Sequence, residues 1–183
     1  MVIGLTGPNA AGKGEVARWL VSRGFLYHSL SDVLREELER LDKPATRENM
    51  IALGNEMRAA EGPGALVARI GTRLSGSDVV DSIRNPSEVL SLRKLPGFIL
   101  VGVAAPVELR FARSQARGRP GDGATLEEFV ARESRENSSD PHHQQLARTF
   151  AMVDHTIAND GSLEQLQRRA SELLERLTAA ARH

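Results

Sequence analysis

Gly7, Gly12 and Lys13 constrain this chain more than any other residues. They stand in residues 4–13, GLTGPNAAGK, with the spacing G-x-x-x-x-G-K. Before them, residues 1–5 are short, apolar and strand-like; after them, Val16, Trp19 and Leu20 recur at helical spacing. A glycine-rich turn between a strand and the helix it opens lets successive backbone N–H groups converge on phosphate oxygens. The helix start adds partial positive charge. Lys13 would reach the outer phosphates as a point charge. Gly7, Pro8, Asn9, Ala10, Ala11, Gly12, Lys13, Gly14 and Glu15 are therefore the expected nucleotide-phosphate contacts. The general pattern places Ser or Thr directly after the lysine, for Mg²⁺. Here Gly14 and then Glu15 follow. A carboxylate at position 15 could meet a hydrated Mg²⁺ or repel the nucleotide, and the sequence leaves both open.

The rest of the composition narrows the class. A length of 183 residues suits one α/β unit with little spare chain. Lys plus Arg and Asp plus Glu both count 24, and the resulting zero net charge argues against a general nucleic-acid binder. Without cysteine there is no disulfide framework and no thiolate chemistry. No apolar run approaches the roughly 18 residues of a membrane span. The N-terminus reads as a core strand rather than a signal peptide. The expectation is a cytoplasmic protein with nucleotide partners, no nucleic-acid or membrane partner, and a monomeric or homodimeric state.

Taken in order, residues 25–28 read as a second strand running into a helix with Ser31 as N-cap and Leu34, Leu38 and Leu41 on one face. Ser31 and Arg35, four apart, can point at one ligand or can belong to an ordinary capped surface helix. After a break at residues 43–46, helices are expected from Thr46 and over 65–74. The first carries Arg58, which reads either as a phosphate or base contact or as part of a solvated helix face. Residues 78–84 read as a third strand ending in charge, with Asp81 where an acid would hold hydrated Mg²⁺ and ligands of parallel sheets gather. Asn85, Pro86 and Glu88 form a capping box with proline at the first helical position. Residues 97–104 suit a parallel strand buried on both faces. The helix opened by Pro106 should bury Leu109 and Phe111, and Arg110, Arg113 and Arg117 recur along it, the last two at i,i+4. Thr125 with Glu128, and Ser162 with Gln165, are further capping boxes. His142 and His143 sit side by side in a turn, and sequence neighbours rarely share one face, so metal binding is not expected there.

Several of these segments resemble nucleoside monophosphate kinases of the adenylate-kinase type. Their phosphate-loop lysine is followed by Gly and then Thr; Gly14 matches the first, and Glu15 stands where the Thr would be. Their second strand runs into a Thr/Ser-Gly-Asp-Leu/Met-Leu-Arg segment, matched by a hydroxyl residue, Asp32 and Arg35. Their Asp-Gly-Phe-Pro-Arg segment is matched at Asp81 and Arg84 alone. The arginine-rich helix–loop–helix around residues 113–137 resembles a short form of their lid. Residues 154–164, with Asn159, Asp160 and Gly161, resemble the ending of dephospho-coenzyme A kinases, where this segment edges the adenine.

The resemblance implies a three-layer α/β P-loop fold with a five-stranded parallel sheet, a monophosphate-binding insert near 42–75 and a lid near 113–137. It implies an enzyme moving the γ-phosphoryl of Mg²⁺-ATP to a nucleoside monophosphate. Lys13, Arg84, Arg119 and Arg132 would be catalytic. Ser31, Asp32, Arg35, Arg58 and Arg84 would bind the acceptor, and Asp81 would hold Mg²⁺. Dephospho-coenzyme A as acceptor is the enzymatic rival. A nucleotide-sensing module without catalysis is the rival from another class.

Overall fold

A computed structural model describes residues 1–118, 123–134 and 137–180. In chain order the elements are β1 (Val2–Thr6), α1 (Lys13–Val21), β2 (Leu26–Ser29), α2 (Leu30–Arg40), α3 (Arg47–Glu61), α4 (Ala65–Gly71), β3 (Asp78–Asp81), α5 (Pro86–Leu92), β4 (Phe98–Ala104), α6 (Val107–Arg117), α7 (Leu126–Ser134), α8 (Leu146–Phe150), β5 (His155–Ala158) and α9 (Leu163–Ala180). The five strands pair in the order β2-β3-β1-β4-β5, all parallel. The expected α/β sheet is what forms.

The central strands β1 and β4 are largely buried on both faces, as a parallel sheet covered by helices requires, while the edge strands β2 and β5 are partly exposed. Successive side chains point to opposite faces, and this divides the core in two. Val2, Val80 and Leu100 pack with Leu34 and Leu38 of α2, Met57 of α3, Ile70 of α4 and Val89 of α5. Ile3, Leu5, Val79, Val101 and Ile157 pack with Val16 and Leu20 of α1 and Leu173 and Leu177 of α9. Two helical layers thus enclose the sheet. Among the described residues no helix is long and apolar enough to cross a membrane.

Local signals hold where their partners are near in sequence. Asn85 caps α5 with Glu88 reaching back and Pro86 in the first turn. Ser162 and Gln165 exchange their bonds at α9, at 2.9 and 3.3 Å. Other expectations need correction. The cap of α2 is Ser29, whose hydroxyl accepts the Ser31 amide; Ser31 lies inside the helix. On α6 the buried side chains are Arg110 and Ser114, with Leu109 and Phe111 only half-buried. The third strand stops at Asp81.

β3 is anchored at its entry by Asp78. Its fully buried carboxylate accepts the Gly76 and Ser75 amides at 2.6 and 2.9 Å and faces His28 Nε2 at 3.0 Å. Burial alone would push this carboxyl up, but the Gly76 amide, His28 and the Ser75 amide together hold it below the usual carboxylate value. A depressed native pKa stabilises the fold above the unfolded value of about 3.9 and loses that contribution as pH falls through the native one. Denaturant unfolding should therefore show stability dropping on acidification below about pH 4. Asp78→Asn should start lower at neutral pH and fall less steeply.

Candidate functional site

The site is built at the carboxyl ends of the strands, where a parallel sheet gathers its ligand groups. The turn after β1 is held in a conformation that admits no side chains at two points. Gly7 has φ 138°, and a Cβ on it would overlap the Val103 carbonyl oxygen of β4. Gly12 has φ 105°, and a Cβ there would overlap Asn159 Nδ2. That same Nδ2 donates to the Ala11 carbonyl at 2.8 Å. Arg113 of α6 fixes Asn159 in turn, donating to its backbone and side-chain oxygens at 3.1 Å each. Lys13 folds over the loop, its Nζ donating to Gly7 O at 2.7 Å and Pro8 O at 3.0 Å. These carbonyl contacts keep the ammonium poised over the turn, at the mouth of a cleft.

The cleft measures about 1240 Å³. Lys13, Gly14 and Glu15 line it from the loop, and Asn159 and Gly161 from the end of β5. Ser31 and Arg35 line it from α2, Asp81 and Arg84 from the end of β3. A second cavity of about 270 Å³ adjoins it and shares Arg35, Arg84 and Arg117 with it. Its far wall mixes the apolar Leu34, Met50 and Ile51 with Arg47 and Arg58.

Asp81 is buried, and its Oδ1 accepts the Ser82 amide at 2.6 Å. Tyr27 lies alongside, with its hydroxyl 3.5 Å from Oδ2. Partial burial first, and then the charge of Asp81, raise the Tyr27 pKa. Ser82 has φ 66°, a left-handed backbone that a non-glycine residue adopts only when its surroundings hold it there. Its hydroxyl joins those of Ser29 and Ser31 in a triangle with sides of 2.8, 3.1 and 3.3 Å. Arg35 donates to Ser31 Oγ at 3.0 Å and pairs with Asp32. One carboxylate beside a phosphate site suits a largely hydrated Mg²⁺, which takes one or two carboxylates plus waters and phosphate oxygens.

Not every expected residue reaches the cleft. Gly7, Pro8 and Ala11 shape the loop from behind. Asp160 turns away, its carboxylate bound to Arg169 of α9 at 2.6 Å and its pKa lowered by that contact. Asp32 is engaged with Arg35. Arg58 is not a solvated cation: it is 3 % exposed, Nη2 and Nε bind Glu88 at 2.8 and 3.2 Å, and it lines the smaller cavity rather than the main cleft. Among the described residues, the cleft lining does not include Arg132 of α7. Arg119 lies outside the described residues. Glu15 lines the cleft but is paired with Arg18, which lies one turn along α1.

Three arginines of α6 that were not among the expected site residues stand at the cleft or against its loop. Arg113 and Arg117 line the cleft. Arg110 is buried, donating to Asn9 O at 3.2 Å, pairing with Glu133 of α7 and lying 5.6 Å from the Phe129 ring centroid. It ties α7 to the phosphate loop. The i,i+4 spacing of Arg113 and Arg117 was the available signal; nothing local marks Arg110.

Comparison with known structures places this architecture among P-loop kinase folds. A shikimate kinase from Bacteroides thetaiotaomicron aligns with a TM-score of 0.62 at 15 % identity, over 97 % of this chain and 98 % of that one. A gluconokinase from Sinorhizobium meliloti aligns at 0.59 and 20 % identity, over 98 % and 94 %. TT1252 from Thermus thermophilus aligns at 0.60 and 27 % identity, over 97 % of both chains. No protein-family model matches the chain. Curated relatives do: a UPF0200 protein of Methanoculleus marisnigri is 33 % identical, covering 96 % of each chain, and one of Hyperthermus butylicus is 31 % identical, covering 97 % of this chain and 95 % of its own. The chain belongs to the UPF0200 family. The narrower adenylate-kinase likeness of the motifs is not what these comparisons single out.

The Gly12–Asn159 contact makes a sharp prediction. Gly12→Ala should lower ATP affinity by roughly tenfold or more, as a strained turn misplaces the loop amides. Adding Asn159→Ala removes the overlap but leaves the positive φ and also deletes the bond to the Ala11 carbonyl, so the double variant should bind ATP no better than Gly12→Ala. Fluorescent-nucleotide titration of the folded variants measures this; full recovery would assign the whole effect to the overlap.

Proposed function

We propose that this protein is an ATP-dependent phosphotransferase that moves the γ-phosphoryl of Mg²⁺-ATP to a small anionic acceptor, with a nucleoside monophosphate as the acceptor class. The observation that carries the reading is that two anion sites share one cleft: Lys13 and the loop amides on one side, Arg35 and Arg84 on the other, with a cavity behind the arginines. A binding module for ATP alone has no use for the second site. The kinase folds that the chain is similar to act on small molecules, which supports the phosphotransferase class and widens the acceptors worth testing.

Each residue's part follows from its place. The loop amides and Lys13 bind the donor phosphates. Asn159 and Arg113 fix the loop from the adenine side. Arg35 and Arg84 orient the acceptor anion for in-line approach. Arg117, shared by both cavities, adds positive charge between donor and acceptor. Asp81 is the residue that would hold Mg²⁺, which when bound supplies charge neutralisation at the phosphate oxygens. An acceptor that is already an anion needs no strong general base, so positioning and charge stabilisation carry most of the barrier reduction.

Assay of ADP release with AMP, other monophosphates, dephospho-coenzyme A, shikimate and gluconate tests the class and ranks the acceptors. Lys13→Ala should keep the thermal unfolding temperature and abolish transfer, because its ammonium reaches the loop carbonyls of Gly7 and Pro8 and takes no part in either core cluster. Arg84→Ala should raise the KM of the acceptor far more than that of ATP. Losing a charge-assisted hydrogen bond costs about 1.5–3 kcal/mol, roughly 10- to 150-fold. Equal weakening of both ligands would place Arg84 in the donor site instead.

A further inference from the structure

Glu88 of α5 is fully buried and lines neither cavity, yet it organises a residue that lines both. Its Oε2 accepts the backbone N–H of Arg84 at 2.9 Å and of Asn85 at 3.0 Å. Its Oε1 accepts Arg58 Nη2 and Nε, from α3. A capping box requires only the bond to Asn85. The bond to Arg84 lies one residue beyond it and fixes the peptide that leads out of β3. On the other side, the Arg84 carbonyl accepts the Gln145 amide at 2.9 Å, and its guanidinium reaches Gln144 Oε1 at 3.3 Å. Asn85 Nδ2 holds the same segment through the Pro141 and His143 carbonyls, at 2.7 and 2.8 Å.

A carboxylate buried this deeply is costly without a countercharge, and Arg58 is that countercharge. Arg58 also brings in α3, whose Met50 and Ile51 wall the smaller cavity. The backbone of the acceptor arginine and the helix that walls its cavity therefore meet on one buried carboxylate.

We infer that Glu88, balanced by Arg58, is a positioning residue for Arg84: it fixes the point from which the guanidinium enters the cleft and couples that point to α3. This rests on the reading of Arg84 as an acceptor contact. The donor loop hangs from β1, β4 and β5, so the effect is confined to the acceptor.

Two isosteric pairs separate positioning from plain stability. In Arg58→Met/Glu88→Gln the ion pair is gone, but a carbonyl oxygen remains for the two amides. In Arg58→Met/Glu88→Met the volume remains and the acceptor oxygen is gone. Both are compared with the wild-type chain by thermal unfolding, by kinetics with ATP and AMP, and by NMR amide exchange. Because Arg58 lines the smaller cavity, its loss is common to both pairs and the comparison is between them: the Met pair should raise the AMP KM roughly tenfold or more above that of the Gln pair, while the ATP KM of the two differs by no more than about threefold. Equal losses in the two pairs, or ATP and AMP KM values rising together, would overturn the inference, because a merely structural role moves both ligands with the unfolding temperature. If the Met pair does not fold at the assay temperature, exchange decides: slow Arg84 and Asn85 amides in the wild type and the Gln pair support the clamp, and exchange at free-peptide rates overturns it. A wild-type chain that phosphorylates no acceptor overturns the functional reading instead, and the same exchange comparison still decides whether Glu88 holds Arg84.

Discussion

The bond from Asn159 to the Ala11 carbonyl is the one on which the site depends. A phosphate-binding turn works only if its amides converge, and this turn has almost no side-chain mass with which to hold itself. Its shape comes from outside: β4 presses the Val103 carbonyl against Gly7, and the residue after β5 grips Ala11. Both supports reach β1 through consecutive parallel pairings, β1 with β4 and β4 with β5. Arg113 then locks the Asn159 side chain, so the α6 helix participates in the geometry of a loop almost a hundred residues earlier.

Sheet order divides the labour. β1 is central, and the chain moves outward from it in two directions, to β3 and β2 on one side and to β4 and β5 on the other. This is a topological switch point, where open parallel sheets leave a crevice. Residues after β2 and β3 supply Arg35, Asp81 and Arg84; residues after β4 and β5 supply Arg113, Arg117 and Asn159. The helices α2, α3 and α4 belong to the core layer of the first half, which is why the smaller cavity opens on that side.

How much of this was legible depends on the reach of each signal. The loop, the apolar strands and the capping boxes at Asn85 and Ser162 involve neighbours within a few residues, and they read correctly. Ser31 was read as the cap of α2 where Ser29 serves, because two hydroxyls so close both satisfy the local pattern. The five-residue α8 has too little length to show a period. Arg58 and Glu88 look like ordinary helix charges until the fold brings together residues thirty apart. Arg110 hides in the same way: helical spacing favours Leu109 and Phe111 for burial, but contacts with Asn9, Phe129 and Glu133 decide otherwise. For Arg58, Glu88 and Arg110 the missing information was a partner distant in sequence.

The triangle of hydroxyls at Ser29, Ser31 and Ser82 has a consequence for what the floor of the cleft can offer. A hydroxyl owns one proton and two lone pairs. Closed into a ring, each hydroxyl gives its proton to the next, and none is left over. Ser31 Oγ has both lone pairs engaged once Arg35 donates to it, and Ser29 Oγ is likewise filled by the Ser31 amide. Only Ser82 keeps one lone pair in hand. The floor is therefore proton-poor. An anion bound above it would have to take its protons from guanidinium groups and backbone amides, and the serines would then aim Arg35 rather than donate to the anion themselves.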